Sequence, residues 1–307
     1  MTTQTKVVDH FFLFLPTDSF YVELNAAVAT APEYLRTTGE TFCNNLRAIF
    51  AVLTTPLIMT QAKIYSIRYK FLAFSHELRI IADSDGPISE EEIREEAGRR
   101  AESQMEAESA TEEGIKAGVQ SIVRELGSAL LNEQLSVAAA ELLRQGVVLV
   151  WSALEVLIGD IFIAVLNRNP ALAKLLVADE RTRKWFQLRD PFRALETYSY
   201  DLSSHMGDVL SANYRIDDVD TFRVVADVLF KNETLNKLLQ DERLWHLNQK
   251  RNLILHRRAV VDDVYIKNTG EDVVPGVMLD LHPRYVDKCL AYARDIGIAV
   301  LACTVAH

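Results

Sequence analysis

The sequence predicts a mainly α-helical protein. Its 307 residues include only 12 glycines and 8 prolines, and in most windows apolar residues recur three or four positions apart rather than at every second position. Hydrophobic residues make up 49% of the chain, which is enough to bury a substantial core. We therefore expect an all-α fold with one large domain or two smaller ones.

The apolar periodicity places the helices in order along the chain. Residues 10–32 fit either a short buried strand or a helix broken by Pro16, and they stay unassigned. Two apolar stretches around Thr269 and Gly270 predict a short β-hairpin or a paired irregular arm before the last helix. Helices are expected at 33–54, 57–82, 119–142 and 147–166 (one or two helices), 170–188, 191–211, from about 217, 234–259, and 285–302.

An acidic segment separates two regions of the chain. Residues 89–114 contain ten glutamates and three arginines, which account for seven of the ten net negative charges. Ser89 with Glu92 three residues later matches a capping box, so a helix should begin here. This helix is a solvated connection, which we favour, a screen for the basic segment 243–258, or a surface that recruits a basic partner. The predicted domains are an N-terminal helical extension of unassigned role, 1–115, and a helical domain, 116–307.

Composition and motifs argue against several classes of protein. The three cysteines lie far apart without a CxxC or Cys/His cluster, so neither a disulfide framework nor a zinc site is expected. The N-terminus lacks the order of a signal peptide. Residues 147–166 are long enough to span a bilayer, but Glu155 and Asp160 within them favour a buried core helix. We expect a cytoplasmic protein without membrane contact, metal or cofactor.

The stretch KRNLILHRR, 250–258, contains residue types that suit RNA cleavage. Histidine changes its protonation near neutral pH and can move a proton. Arginine can hold a phosphate and offset its developing charge, and asparagine can orient either partner. On one helix Asn252 and His256 share a face, whereas Arg251 lies about 140° from His256. A basic helix end that complements the helix dipole has the same composition, so spacing leaves both interpretations open.

The longer stretch RNLILHRRAVVDDVYIKNTG, 251–270, resembles the signature of HEPN domains, which are α-helical modules with an RxxxxH motif. The resemblance covers roughly 119–305, and WSALEVLIGD, 151–160, is similar to the family's first core helix. Residues 1–115 resemble no family. The matching elements after the motif are Val261-Asp262, Tyr265, Thr269-Gly270 and the helix after His282.

The resemblance implies a metal-independent endoribonuclease of antiviral defence or toxin–antitoxin systems. Such proteins are usually homodimers whose two motifs form one composite site, which would supply the second motif that the helical wheel requires. The implied catalytic residues are Arg251, Asn252 and His256. We further expect RNA contacts from Lys250, Arg257 and Arg258, and an antitoxin or regulatory protein is a candidate partner.

Two positions depart from the family pattern. Many members have a small polar residue after the histidine, where this chain has Arg257. Position 258 is Arg, so the RxxxxHxY pattern, whose tyrosine is adenylylated in some toxin pairs, is absent. The alternative function is a non-catalytic HEPN-like module that binds RNA or a nucleotide, or that assembles a dimer.

Two further features have two interpretations each. Glu155 either supports the site or forms a structural pair with a core arginine, which we favour. The stretch RTRKWFQLRDPFR, 181–193, either contacts RNA through its arginines and aromatic rings or forms an amphipathic helix with buried aromatics. We favour the helix.

Overall fold

The structure, a computed structural model, describes residues 14, 18–84, 86–188 and 190–303. These residues form an all-α fold, which confirms the predicted fold class. Within them there is no β-strand, and one isolated antiparallel bridge joins Val260 to Met278. The helices are α1 (Asp18–Thr30), α2 (Glu33–Asp83), α3 (Glu90–Ser109), α4 (Glu112–Ala129), α5 (Glu133–Arg168), α6 (Ala173–Ala178), α7 (Glu180–Phe186), α8 (Pro191–Thr197), α9 (Met206–Asn213), α10 (Val219–Leu229), α11 (Glu233–Gln240), α12 (Glu242–Arg257), α13 (Asp263–Thr269) and α14 (Pro283–Leu301).

The chain divides into two compact units, and the division differs from the predicted boundary at 115/116. One unit contains 53–139, and the other contains 16–52 together with 140–307, as far as these residues are described. The difference arises from packing that sequence periodicity does not reveal. Helix α1 packs against α14, near the other end of the chain, and α4 packs against α3.

In the first unit, α3 and α4 lie beside the second half of α2 and form ion pairs with it. Glu92 N donates to Ser89 Oγ at 3.2 Å and Ser89 N donates to Glu92 Oε2 at 3.1 Å, which confirms the predicted capping box. An ion pair of 2.9 Å between Arg68 and Glu108 joins α2 to α3. Helix α3 buries alanines on one side and exposes its glutamates on the other, so the acidic segment is a packed surface helix.

Helix α2 is continuous where the sequence predicted two helices, at 33–54 and 57–82. Pro56 lies inside it and cannot donate a backbone hydrogen bond. Leu53 and Leu57, on either side of the proline, are both buried. Burial of the same helix face before and after Pro56 offsets the lost hydrogen bond, so the helix does not end there.

In the second unit, α5 is the central core helix. Trp151 of α5 stacks on Phe222 of α10 with ring centroids 5.5 Å apart, and Phe162 of α5 stacks on Phe186 of α7 at 5.3 Å. The apolar run 147–166 is thus a packed core helix, as the sequence predicted. By length and composition alone, both α2 and α5 could cross a membrane, a weak indication because 44% of the apolar window of each is buried.

Two predicted helices are each divided at an aspartate. The helix expected at 170–188 is a 3₁₀ turn followed by α6 and α7, and Asp179 caps α7 by accepting a hydrogen bond from Arg181 N at 2.9 Å. The helix expected at 234–259 is α11 and α12, and Asp241 caps α12 through Arg243 N at 2.8 Å. In both cases the carboxylate satisfies an amide that a continuous helix would bond internally.

The arm before the last helix is irregular and paired, but its turn is not at Thr269-Gly270. Residues 263–269 form α13, and Gly270 is its left-handed C-cap with φ of 66°. The pairing joins 259–261 to 276–279 instead, with Val261 N donating to Val277 O at 2.9 Å. Asp262 caps α13 by accepting from Tyr265 N at 2.8 Å, which favours a helix over a strand here.

Candidate functional site

The candidate catalytic residues all lie in the second half of α12. This helix belongs to the second unit and buries Leu247, Leu253 and Ile254 in the core of that unit. Leu255, although apolar, is exposed. The buried face therefore fixes Arg251 toward the bundle and His256 toward solvent.

Arg251 is half-buried, with 24% of its side chain exposed. Its Nη1 donates to Asn252 Oδ1 at 2.9 Å, and its Nη2 lies 3.8 Å from Glu155 Oε2, an ion pair too long for a hydrogen bond. Its Nε is buried and donates to no group in the described part of the chain. The guanidinium thus has donors that the protein itself does not use.

A chain of polar side chains extends from Arg251 in both directions. Asn252 Nδ2 donates to Asn248 Oδ1 at 3.2 Å, and Asn248 is buried. At the other end, Arg215 Nη2 lies 3.8 Å from Glu155 Oε1. Sequence reasoning missed Asn248 and Arg215. Asn248 had a signal, since it lies four residues before Asn252 on the same helix face.

His256 is exposed in the last turn of α12, one residue before the helix ends. Among the described residues it forms no hydrogen bond or ion pair with another side chain. Arg258 is exposed beside it and likewise has no side-chain partner there. Arg257 is exposed, and its Nε lies 3.2 Å from Asp262 Oδ2. A solvent-exposed ion pair of this kind contributes little to stability.

The end of α12 has an unusual backbone. Arg258 and Ala259 both adopt positive φ, 53° and 63°, which non-glycine residues seldom do. Ala259 is fully buried, and its N donates to Leu253 O at 3.1 Å while its O accepts from Leu279 N at 2.7 Å. The paired arm thereby holds the chain in this conformation, just after His256 and Arg257.

Lys250 is not available for the RNA contact that the sequence predicted. It is only 5% exposed. Its Nζ donates to Tyr265 Oη at 2.6 Å and to Glu271 Oε1, and Tyr265 Oη donates to Glu271 Oε2 at 2.7 Å. The ammonium also lies 5.1 Å from the ring centroid of Tyr285. This buried cluster joins α12 to α13 and to the start of α14, so the role of Lys250 is structural.

The pKa values in the cluster follow from burial and pairing. Burial acts to raise the pKa of Glu271, but hydrogen bonds from Lys250 and Tyr265 and the nearby charge outweigh it, so this pKa lies below its ordinary value. Burial, and then the hydrogen bond to Glu271, raise the pKa of Tyr265. Burial also raises the pKa of the Cys289 thiol to about 12. At neutral pH Glu271 is thus a carboxylate and both tyrosines are neutral.

Loss of the Glu271 charge should destabilise the fold in acid. Because its pKa is lower in the folded than in the unfolded state, its contribution is complete above the ordinary value of 4.5 and is lost as pH falls through the folded value. The melting temperature of Glu271→Gln should therefore lie well below that of the wild type at pH 7, and the gap should narrow below pH 4.5. Thermal melts between pH 3 and 7 measure this, with exposed Glu233→Gln as control. A gap that does not change with pH would contradict the assignment.

The two other features of the sequence have structural contacts. Glu155 pairs with Arg251 and with Arg215. Because Arg251 is both a half-buried arginine and a candidate catalytic residue, this pair fits both interpretations of Glu155. In 181–193, Phe186 is buried and Arg181 pairs with Asp179 and Asp227, as expected of an amphipathic helix. The stretch is nevertheless not one helix, because α7 ends at Phe186 and α8 begins at Pro191, and Phe192 is exposed. Position 189 lies outside the described residues.

Within one chain, the structure joins Arg251 and Asn252 but not His256. Arg251 donates a hydrogen bond to Asn252, whereas His256 forms no hydrogen bond to either residue. In the same residues, no group of three or more His, Cys, Asp or Glu side chains is placed to hold a metal ion. The arrangement offers an exposed imidazole and an incompletely bonded guanidinium.

No protein-family model, curated protein or solved structure matches this chain.

Proposed function

We propose that this protein is an endoribonuclease of the HEPN type, which cleaves RNA without a metal ion by attack of a 2′-OH on the adjacent phosphate. The proposal starts from the resemblance of 251–270 to the HEPN signature. The observation that carries it is the state of the motif: His256 is exposed without a side-chain partner, and Arg251 is partly exposed with its Nη2 3.8 Å from Glu155, beyond hydrogen-bond distance.

Each side chain has one role in the reaction. A neutral His256 imidazole takes the proton of the 2′-OH as that oxygen forms a bond to phosphorus. The bond from phosphorus to the 5′ oxygen breaks, and an imidazolium returns a proton to that oxygen. Arg251 offsets the charge on the five-coordinate phosphate, while Asn252 orients the guanidinium. The products are a 2′,3′-cyclic phosphate and a 5′-OH.

A second copy of the chain supports this chemistry. One His256 must accept a proton while another group donates one, and Arg251 and His256 point in different directions on α12. Two copies of α12 related by a two-fold axis would provide two imidazoles and two guanidiniums in one cleft. We therefore propose a homodimer formed through the second unit, with Arg257 and Arg258 extending the phosphate contact along the strand.

Mixed cellular RNA tests the proposal. Purified protein should cut it in EDTA, because no step requires a metal, and the new ends should be 2′,3′-cyclic phosphate and 5′-OH. Single-stranded DNA should stay intact because it lacks the internal nucleophile. Sequencing with end-specific ligation measures the ends. Cleavage that EDTA abolishes, or that leaves 3′-OH ends, would contradict the mechanism.

A second function, a non-catalytic RNA-binding or dimeric module, has one observation in its favour. Arg251 pairs with Glu155, and Glu155 also faces Arg215, so the arginine has a structural partner in the core. In that case Arg251→Ala would lower the melting temperature and RNA would bind without being cut. Comparison of binding with cleavage for the same RNA separates the two functions.

A further inference from the structure

The second half of α2 exposes an unusual apolar stripe. Five residues on one face, each between 52% and 63% exposed, lie in the first unit. Soluble monomers seldom expose so many large apolar side chains together. The residues are Ile67, Phe71, Phe74, Leu78 and Ile81.

The spacing of the stripe is that of a coiled coil. From Ile64, which is half-buried, the apolar positions follow at steps of three, four, three, four and three residues, which is a heptad pattern at a and d. The same steps lead back through Thr60 to Leu57 and Leu53, which are buried. The stripe thus continues a core face beyond the point where the chain itself covers it.

We propose that this stripe binds the same stripe of a second copy of the chain, as an antiparallel two-stranded coiled coil. This proposal does not rest on the ribonuclease activity. The intervals read the same in both directions about a centre between Phe71 and Phe74. A two-fold axis there therefore places Phe71 against Phe74, and Ile67 against Leu78, of the partner subunit. Every apolar position then meets another.

The charges beside the stripe favour the antiparallel direction. Lys70 and Glu77 lie on the same flank, immediately before Phe71 and Leu78, and neither makes an ion pair with another described residue. In the antiparallel pair, Lys70 of each copy faces Glu77 of the partner subunit, which gives two pairs of opposite charge. A parallel pair would instead place Lys70 beside the partner's Ser75 and Glu77 beside the partner's Ala82. Neither charge would then meet an opposite charge, so the pairing favours the antiparallel form.

The apolar area is sufficient for a specific contact. Phenylalanine side chains bury roughly 150–250 Å² when fully covered, and more than half of each ring in the stripe is exposed. The stripe can therefore bury on the order of 500 Å² per copy, or about 1,000 Å² in the pair, which is near the lower limit for a specific interface.

Mixed cross-linking tests the pairing directly. Lys70→Cys protein mixed with Glu77→Cys protein should form a covalent dimer with a short bis-maleimide, since these positions face each other. Each variant alone should cross-link much less, because two copies of position 70 are offset by about 7.5 Å along the axis and two copies of position 77 by about 13.5 Å, against about 3 Å for the mixed pair. The native cysteines are buried, and wild type serves as background. Phe71→Glu introduced into both mixed variants should abolish the product.

A charge reversal gives an independent readout. Lys70→Glu should weaken self-association roughly tenfold, since two attractive pairs become repulsive, and Lys70→Glu with Glu77→Lys should restore it. Sedimentation at low salt measures both. Absence of the mixed cross-link, or equal cross-linking by each variant alone, would overturn the proposal. RNA cleavage by a variant that no longer cross-links would leave the ribonuclease proposal standing, so the two can fail separately.

Discussion

Replacing His256 with alanine is expected to reduce the rate of RNA cleavage by a factor of about 10² to 10⁴ without changing the melting temperature. The size of the loss is that of a removed general acid–base group. The melting temperature should stay constant because His256 is exposed and forms no hydrogen bond or ion pair with another described side chain, and exposed substitutions usually change stability by less than about 0.5 kcal/mol. Cleavage of a labelled RNA and a thermal melt of the same sample measure both effects.

Two variants make this result specific to the site. Arg251→Lys keeps the positive charge but removes the planar set of donors, so cleavage should also fall by about 10². His205→Ala replaces another partly exposed histidine, which stacks on Tyr198, and should cut RNA at the wild-type rate. Equal activity in wild type and His256→Ala would remove the mechanism. A large loss of stability in Arg251→Lys would instead support the structural role of Arg251.

Replacing Lys250 with alanine is expected to destabilise the protein strongly. The change leaves the half-buried Glu271 carboxylate and the Tyr265 hydroxyl without their shared donor. Removing one partner of a buried pair costs about 3–5 kcal/mol, which lowers the melting temperature by roughly 10 °C in a domain of this size. Lys267→Ala, an exposed lysine on α13, is the matched control and should melt like the wild type.

A double variant separates pairing from packing at the same cluster. Lys250→Met with Glu271→Leu removes both charges and should regain much of the stability that each single change loses. Lys250→Ala with normal stability but weaker RNA binding would return this lysine to the RNA surface that the sequence predicted.

The helical content of the chain was predictable because it depends on local periodicity. The apolar spacing around Trp151 and Phe162 identified a core helix, and both residues are buried in α5. The predicted helix bounds were wrong in two ways. Pro56 does not divide α2, and the helices expected at 170–188, 191–211 and 234–259 are each divided. In the first and last of these three, the break is at a polar cap within a continuous apolar pattern. Asp179 and Asp241 each begin a new helix by accepting an amide hydrogen bond, and an aspartate inside an apolar pattern does not by itself indicate a break.

The division of the chain into two units depends on contacts between distant segments. Helix α1 packs against α14, and Gly297 of α14 approaches the ring of Phe42, in the first half of α2, so closely that an added Cβ would lie 2.3 Å from Cε1. Periodicity along the chain carries no information on such pairs. The sequence therefore predicted a boundary at 115/116, whereas the units divide at 52/53 and 139/140.

The candidate site was predictable in composition but not in environment. The motif identified Arg251, Asn252 and His256, and the helical wheel separated Arg251 from His256. The sequence could not show that the side chain of Lys250, next to Arg251, lies in a buried cluster with Glu271, because that carboxylate is 21 residues further along the chain. The contacts of Lys250 with Tyr265 of α13 and with Glu271 after it bury this lysine, whereas the neighbouring Arg257 and Arg258 stay exposed.

The most direct test of the central claim compares one RNA oligonucleotide with its fully 2′-O-methylated copy, each incubated with wild-type protein and with His256→Ala in EDTA. The ribonuclease proposal predicts cleavage only of the unmodified RNA and only by the wild-type protein, because the reaction needs both a free 2′-OH and an imidazole. Cleavage of the methylated copy, or equal cleavage by His256→Ala, would contradict it.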